Sequence, residues 1–493
     1  MGEPYLLALD QGTTSTRAAL YGADGRERAT ATRPLGQSYP ADSWVEHDPE
    51  AIFTDSVAVL EEALSGADGA PVAGLGIANQ RETAVVWDRT TGRAIAPAIV
   101  WQDRRTADSC QRLKRDGFEP EVARRTGLRL DPYFSATKWA WLLNRTEGAR
   151  AAAGAGRLLC GTVDSWLVWR LTGGRVHATD ATNASRTLLF DLERGRWDPE
   201  LCRMFDVPEA LLPEVRNTAG EFGWTELAGR RIAIRGVAGD QQAALMGQGC
   251  VAAGGLKATF GTGAFVLLHT GEAVVRSGAG LLSSVAARVG GRTTFCVEGS
   301  VFNAGAAVQW AGELLGLDGP GAVERLAAGA RADHGVTLVP AFTGLGAPWW
   351  NSGARGAMFG LTRDTGRAEV AAAAIDSAAH QMGDLLEAMR TDFPAGLGAL
   401  RIDGGMAGSR AFAQRLADLT GVVVERADHQ EATALGAAMF AGVGAGLWNM
   451  ETAARLRPEA ERFEPMLARE DRDAWRARWL DAVGRVVGPA ARA

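Results

Sequence analysis

Cysteine is sparse: Cys110, Cys160, Cys202, Cys250 and Cys296 stand far apart, with no C-x-x-C pair and no Cys/His cluster. That excludes a zinc module and a disulfide framework, and it fits buried thiols in a reducing compartment. No apolar run approaches the ~20 residues of a membrane helix. The opening MGEPYLLALDQGT has neither the basic nor the apolar region of a signal peptide. Position six is Leu6 where a myristoylation signal needs Ser or Thr. A basic domain is missing too: the net charge is −6, which argues against a nucleic-acid partner. Neither the P-loop pattern G-x-x-x-x-G-K-[ST] nor a protein-kinase glycine loop fits the Gly-rich segments. These absences leave a soluble, cytoplasmic protein with no membrane insertion.

What is present is a long α/β chain. Its 493 residues exceed the ~250–300 at which single cores stop growing. Strand-like runs (Tyr5–Leu9, Ala18–Tyr21, Val72–Ala78, Ala84–Asp88) alternate with helical ones. Asp48-Pro49-Glu50 supplies an N-cap, a proline at the first helical position and an acidic first turn, so a helix is expected over Pro49–Leu64. Arg105–Arg115, Ala368–Arg390 and Ala411–Thr420 also read as helical, the last ended by Gly421. A small-residue stretch near Met246–Gly254 marks a boundary between domains 1–248 and 249–493. No low-complexity linker separates them, so the two should pack intimately around a cleft.

The phosphate-binding candidates are three Gly-containing turns. Asp10-Gln11-Gly12-Thr13-Thr14-Ser15 sets a carboxylate beside backbone N–H groups and hydroxyls that can converge on phosphate oxygens, while Asp10 can hold Mg²⁺. Arg17 lies where it could neutralise a β- or γ-phosphate. Gly261-Thr262-Gly263 repeats the strand–turn–strand pattern in the second half. Asp403-Gly404-Gly405-Met406 follows the strand Leu400–Ile402, with glycines that let backbone approach a ligand. Each turn alone could be an ordinary hairpin; together and in this order they resemble the actin-like ATPase architecture.

The acceptor candidates are Asn79-Gln80-Arg81-Glu82-Thr83 and Gly239-Asp240-Gln241-Gln242. An adjacent cation and anion can donate to and accept from vicinal hydroxyls; the same residues could also form a charged turn in solvent. Asp240 could be a general base or simply the N-cap of the helix that follows.

Long ordered strings carry a resemblance: ALDQGTTS (8–15), WVEHDP (44–49), NQRET (79–83), AIVWQDRRT (98–106), DPYFSATK (131–138), TDATNASRTLLF (179–190), AGDQQAAL (238–245), FGTG (260–263), VPAFTGLGAPWW (339–350) and ATALGAA (432–438). Over about residues 5–448 the chain resembles the FGGY carbohydrate kinases. NQRE resembles the branch that phosphorylates glycerol more than those acting on pentuloses. The resemblance implies two actin-like (ribonuclease H-like) domains with a nucleotide and substrate cleft between them, and ATP-dependent phosphoryl transfer to glycerol with Mg²⁺. It implies that Arg81, Glu82, Tyr133, Asp240 and Gln241 bind glycerol hydroxyls, with Asp240 the catalytic base and Trp101 and Phe265 walling the carbons. Thr13, Thr14, Ser15, Arg17 and Thr262 would contact phosphates. Gly305, Gln309 and Gly405 would line the nucleotide site, Ser409 would lie near the base, where relatives often carry Asn, and Asp10 would organise Mg²⁺. A homodimer or homotetramer is the assembly it implies.

A kinase for another small polyol or sugar is the first rival. A non-kinase actin-like ATPase is a remoter one, since it has no use for NQRE or GDQQ. A catalytically dead regulator is opposed by the intact Asp10, Arg81, Glu82 and Asp240. Some family members bind fructose 1,6-bisphosphate on a Gly-rich, Arg-containing loop; here Glu226–Ile232 looks too short for one. Glu459–Val487 is expected to be a charged surface helix packed through Trp475 and Trp479. Trp139, Trp141, Trp166 and Trp169 read as packing residues.

Overall fold

The computed structural model describes residues 4–319, 321–427 and 431–488. In the first half β1 (Tyr5–Gln11), β2 (Ser15–Tyr21), β3 (Glu27–Pro34), β4 (Val72–Asn79), β5 (Trp224–Leu227) and β6 (Arg230–Gly239) form one sheet, in the order β5-β6-β4-β1-β2-β3. β1 and β2 are antiparallel, while β1, β4 and β6 run parallel. Helices α1 (Pro49–Ser65), α2 (Ser135–Arg145) and α3 (Asp240–Gly247) belong to this half. As expected, the Asp48 carboxylate caps α1, accepting from the Glu50 amide at 2.9 Å.

The second half repeats the plan. β7 (Leu256–Phe260), β8 (Ala264–Gly271), β9 (Leu282–Val289), β10 (Arg292–Val301), β11 (Leu400–Asp403), β12 (Val424–Ala427) and β13 (Ala460–Phe463) form a sheet ordered β9-β10-β8-β7-β11-β12-β13. Again the leading hairpin is antiparallel and the third and fourth partners are parallel to it. Its main helices are α4 (Gly305–Leu314), α5 (Arg367–Asp392), α6 (Arg410–Thr420), α7 (Ala432–Gly444) and α8 (Arg469–Val487).

β1 is apolar on both faces because both are covered. Leu7 and Leu9 join the core beneath α1, while Leu6 and Ala8 face a cluster that includes Leu435, Ala438 and Phe440 of α7. Thus a helix from the second half covers the first sheet. Small residues permit the approach: a Cβ on Gly76 would meet the Ala437 carbonyl at 1.9 Å, and one on Gly436 the Ala243 carbonyl at 1.7 Å.

Register then aligns the loops. Gln11 pairs with Asn79, and Asn79 with Gly239, so the residues that follow all leave the same edge of the sheet side by side. In the second sheet Thr259 pairs with Asp403, which brings the turns after β7 and β11 together. Ligands of open α/β sheets bind in the crevice outside such strand ends.

One expectation needs correction, and one open alternative is decided. Residues 459–487 are not one helix: Ala460–Phe463 is β13, paired with β12, and the helix starts at Arg469. Trp475 and Trp479 are buried as expected. Asp240 is not the N-cap of α3; it is the first helical residue, Gly239 holds the cap position, and no side chain caps the helix. The stretch 226–232 is a tight hairpin turning through Ala228 and Gly229, both at positive φ (48° and 74°), as a two-residue connection demands. All five cysteines are free and buried, and Trp139, Trp166 and Trp169 are core residues.

Candidate active site

The NQRET turn is not a solvated charged loop. Arg81 and Glu82 are 3% and 2% exposed. Each side chain of the turn has its own direction. Asn79 exchanges amide hydrogen bonds with Asn183 at 3.0 and 3.1 Å. The Gln80 amide donates to the Gly12 carbonyl at 2.9 Å, tying this turn to the first phosphate candidate. Thr83 Oγ1 donates to Gln80 and accepts the Trp101 amide at 3.2 Å.

Glu82 sits at φ 60°, a left-handed conformation that costs a non-glycine residue ~1–2 kcal/mol. The surroundings hold it there. Its carbonyl accepts from Ser135 Oγ (3.1 Å) and Lys138 Nζ (3.2 Å) of α2, and its carboxylate accepts from Arg186 Nε at 2.5 Å. Strain that is over-determined in this way marks functional sites.

Arg81 Nε lies 3.5 Å from Asp240 Oδ1, and Arg81 Nη2 lies 2.9 Å from Glu298 Oε2. Burial alone would lower its pKa, but Glu298 and then Glu82 hold the guanidinium well above its usual range. Asp240 is half-buried; burial raises its carboxyl and Arg81 only partly opposes that. The neighbouring Gln241 side-chain oxygen accepts from buried Lys257 Nζ at 2.7 Å.

Three aromatics border these groups. Trp101 stands edge-on to Tyr133 and to Phe265, with ring centroids 5.6 and 6.1 Å apart. Trp101 and Tyr133 come from the first half and Phe265 from β8 in the second. The Trp101 indole N–H donates to Thr13 Oγ1 at 2.9 Å, so the aromatic wall and the first phosphate turn share a hydrogen bond.

The phosphate candidates are more open. Thr14, Gly261, Thr262 and Gly405 are exposed. Each hairpin turn closes through the amide of its first glycine, Gly12 N to Ser15 O at 2.9 Å three residues on, and Gly261 N to Gly263 O at 2.8 Å two residues on. Gly305 packs on the second turn: its amide bonds the Gly261 carbonyl at 3.0 Å and a Cβ there would come within 2.5 Å of it. Gly404 is required by packing, with φ 88° and a Cβ that would meet the Phe260 carbonyl at 2.5 Å; Gly405 faces open space. Gln309 is exposed on α4 and donates to Glu313. Ser409 caps α6, its hydroxyl accepting from the Phe412 amide at 3.1 Å. Arg17 is engaged by Glu27 (2.8 Å) and Glu431 (3.0 Å). A cavity of about 660 Å³ lies between residues 36–38, 46–50 and 93–97, and none of these candidates lines it; its lining residue His47 has Nδ1 3.3 Å from Gln80 Nε2.

Residues 5–247 match the N-terminal domain of the FGGY family of carbohydrate kinases, and residues 256–445 match its C-terminal domain. This chain belongs to that family. It is 53% identical to a glycerol kinase from Methylobacterium nodulans, over 98% of each chain. A crystal structure of Plasmodium falciparum glycerol kinase with ADP superposes with a TM-score of 0.93 at 31% identity, covering 98% of both chains. A ligand-bound xylulose kinase from Lactobacillus acidophilus shares the fold, with a TM-score of 0.88 at 20% identity and 99% coverage of both chains.

Within this FGGY kinase, sequence reasoning missed four buried polar residues: Lys138, Arg186, Lys257 and Glu298. Arg186 and Lys138 lie inside the strings TDATNASRTLLF and DPYFSATK, and a lone Glu inside the apolar run Phe295–Val301 was the available signal for Glu298. Asp10 fits a divalent cation. Burial and the carboxylates of Asp240 and Glu431 push it up to about 8, so a cation beside it would be favoured. Among the described residues no group of three or more His, Cys, Asp or Glu side chains could hold a metal ion, so a divalent cation there would need oxygens of water or ligand as well. No helix among the described residues is long and apolar enough to cross a membrane.

Proposed function

We propose that this FGGY kinase transfers the γ-phosphoryl group of ATP to glycerol, giving sn-glycerol 3-phosphate and ADP. The observation that carries the reading is the cluster of charged groups and aromatic rings at the NQRET turn. A fixed cation, Arg81, and the carboxylates Glu82 and Asp240 face one another beside Trp101, Tyr133 and Phe265. Such a set offers donors and acceptors for vicinal hydroxyls and an apolar wall for the carbons between them. The glycerol kinase relatives support the choice of acceptor.

In this reading Arg81, Glu82, Tyr133, Asp240 and Gln241 hold the three hydroxyls. The Thr13–Ser15 turn, Arg17 and Thr262 take the phosphates. Gly305, Gln309, Gly405 and Ser409 border the nucleoside, Ser409 through its exposed side because its hydroxyl caps α6. Asp10 would hold Mg²⁺, which supplies neutralisation of phosphate charge. Phosphoryl transfer passes through a loose transition state, so positioning and charge neutralisation supply most of the rate. Asp240, whose carboxyl is raised but still faces Arg81, orients the attacking hydroxyl and accepts its proton as the bond to phosphorus forms. Closing the two halves around both ligands excludes water.

The test is an ADP-release assay across glycerol, dihydroxyacetone, erythritol, xylulose and ribulose. Glycerol should give the highest kcat/KM by at least tenfold, because a site built to bond hydroxyls rejects acceptors that leave its groups unpaired. A pentulose ranking first would overturn the assignment, and ADP release independent of acceptor would make the protein an ATPase.

A further inference from the structure

Arg81 and Glu82 are held in place by two residues outside the proposed acceptor set, one on each half of the chain. Glu298 lies on β10, opposite Leu267 of β8, and two residues further along Ser300 lies opposite Phe265. Side chains at alternate positions, and at paired positions, share a face. Glu298 therefore projects from the same face of the second sheet as Phe265, toward the first half.

There Glu298 is 3% exposed and receives four donors. Arg81 reaches it with Nη2 at 2.9 Å and Nη1 at 3.3 Å, Arg186 with Nη1 at 2.7 Å, and Ser284 Oγ at 2.6 Å. Arg186 is fully buried, bonds Glu82 at 2.5 Å, and has its guanidinium carbon 5.3 Å from the Tyr133 ring centroid. Its Nη2 is buried without a hydrogen-bond partner.

We propose that Glu298 and Arg186 are positioning residues for acceptor binding: they clamp the Arg81 guanidinium and the Glu82 carboxylate across the two halves, so that the glycerol grip exists only when the sheets are in register.

This rests on the acceptor reading above, and physical chemistry favours it over a role in stability alone. Desolvating two arginines and two carboxylates costs about what their attraction returns, so a well-packed apolar core would be as stable. Forked guanidinium–carboxylate pairs fix orientation. With Glu298 neutral, Arg81 keeps its charge but loses the support that aims it, and Arg186 is left with Glu82 alone.

The experiment is steady-state kinetics on the full chain, varying glycerol and ATP separately. Wild-type turnover with glycerol tests the acceptor reading; only the variants test this one. Glu298→Gln should raise the glycerol KM at least tenfold while the ATP KM stays within about twofold. Unchanged KM values, or an equal rise in both, overturn the proposal. The double variant Glu298→Gln with Arg186→Met restores charge balance. It should recover Tm while the glycerol KM stays high, whereas recovery of both assigns the pair to stability alone. Should Glu298→Gln fail to fold, Ser284→Ala deletes only one donor to Glu298. It should raise the glycerol KM about threefold, and an unchanged value overturns the proposal.

Discussion

The proposed acceptor cluster and the proposed phosphate turns both sit at strand ends yet are built on opposite principles. Around Arg81 the polar groups are buried and already bonded by protein: Glu298, Arg186, Lys138 and Lys257 are all hidden. Around Thr262 and Gly405 the turns are exposed, and Gly405 has nothing within 4 Å of where a Cβ would stand. The contrast follows from the ligands each region is proposed to take. A neutral polyol brings no charge, so its directional bonds must come from groups fixed beforehand. Phosphates bring their own charge and need converging backbone N–H groups and room to approach.

The sharpest way to break this comparison is Asp240→Asn. It should lower kcat about 10³-fold while glycerol still binds, measured by turnover and by calorimetric titration of glycerol. Near-normal turnover would remove Asp240 as the base. Next in size, Arg81→Ala should raise the glycerol KM roughly 100-fold and leave the ATP KM within about twofold. If the ATP KM rose equally, the two regions would not be separable. The converse is Thr262→Ala, which removes one hydroxyl from an exposed turn. It should raise the ATP KM about tenfold, spare the glycerol KM and leave Tm nearly unchanged.

The smallest effect concerns pH. Burial lowers Lys138 to about 7, with Glu82, Asp103 and Asp131 only partly opposing it. Between pH 7 and the ordinary lysine value the unfolded chain then binds more protons than the folded one, so this residue makes stability rise with pH over that window. Lys138→Met should flatten that part of the profile in denaturant unfolding. An identical pH slope in both proteins would show that Lys138 keeps its charge when folded.

Much of the architecture was legible in local chemistry. Asp48-Pro49-Glu50 starts its helix where a cap and an N1 proline must, and the paired strand–turn–strand units occupy matching places in the two sheets. The C-terminal segment misled because charge and arginine content suit both a surface helix and an edge strand. Only pairing with β12 made Ala460–Phe463 a strand. For Asp240 local sequence left two roles open, base or cap; Gly239 takes the cap position and the Asp240 carboxylate turns toward Arg81.

By itself the sequence determined the residue types that do chemistry and the turns that carry them, because D-Q-G-T-T-S, N-Q-R-E-T and G-D-Q-Q are each contiguous and locally constrained. Whether Arg81 and Glu82 were solvated or buried was not in those strings. That was decided by the tertiary structure. Strand register aligns Gln11, Asn79 and Gly239, and β10 brings Glu298 to Arg81 from 217 residues away. Burial and ion pairing are properties of what surrounds a side chain, and for these residues the surroundings come from both halves of the chain.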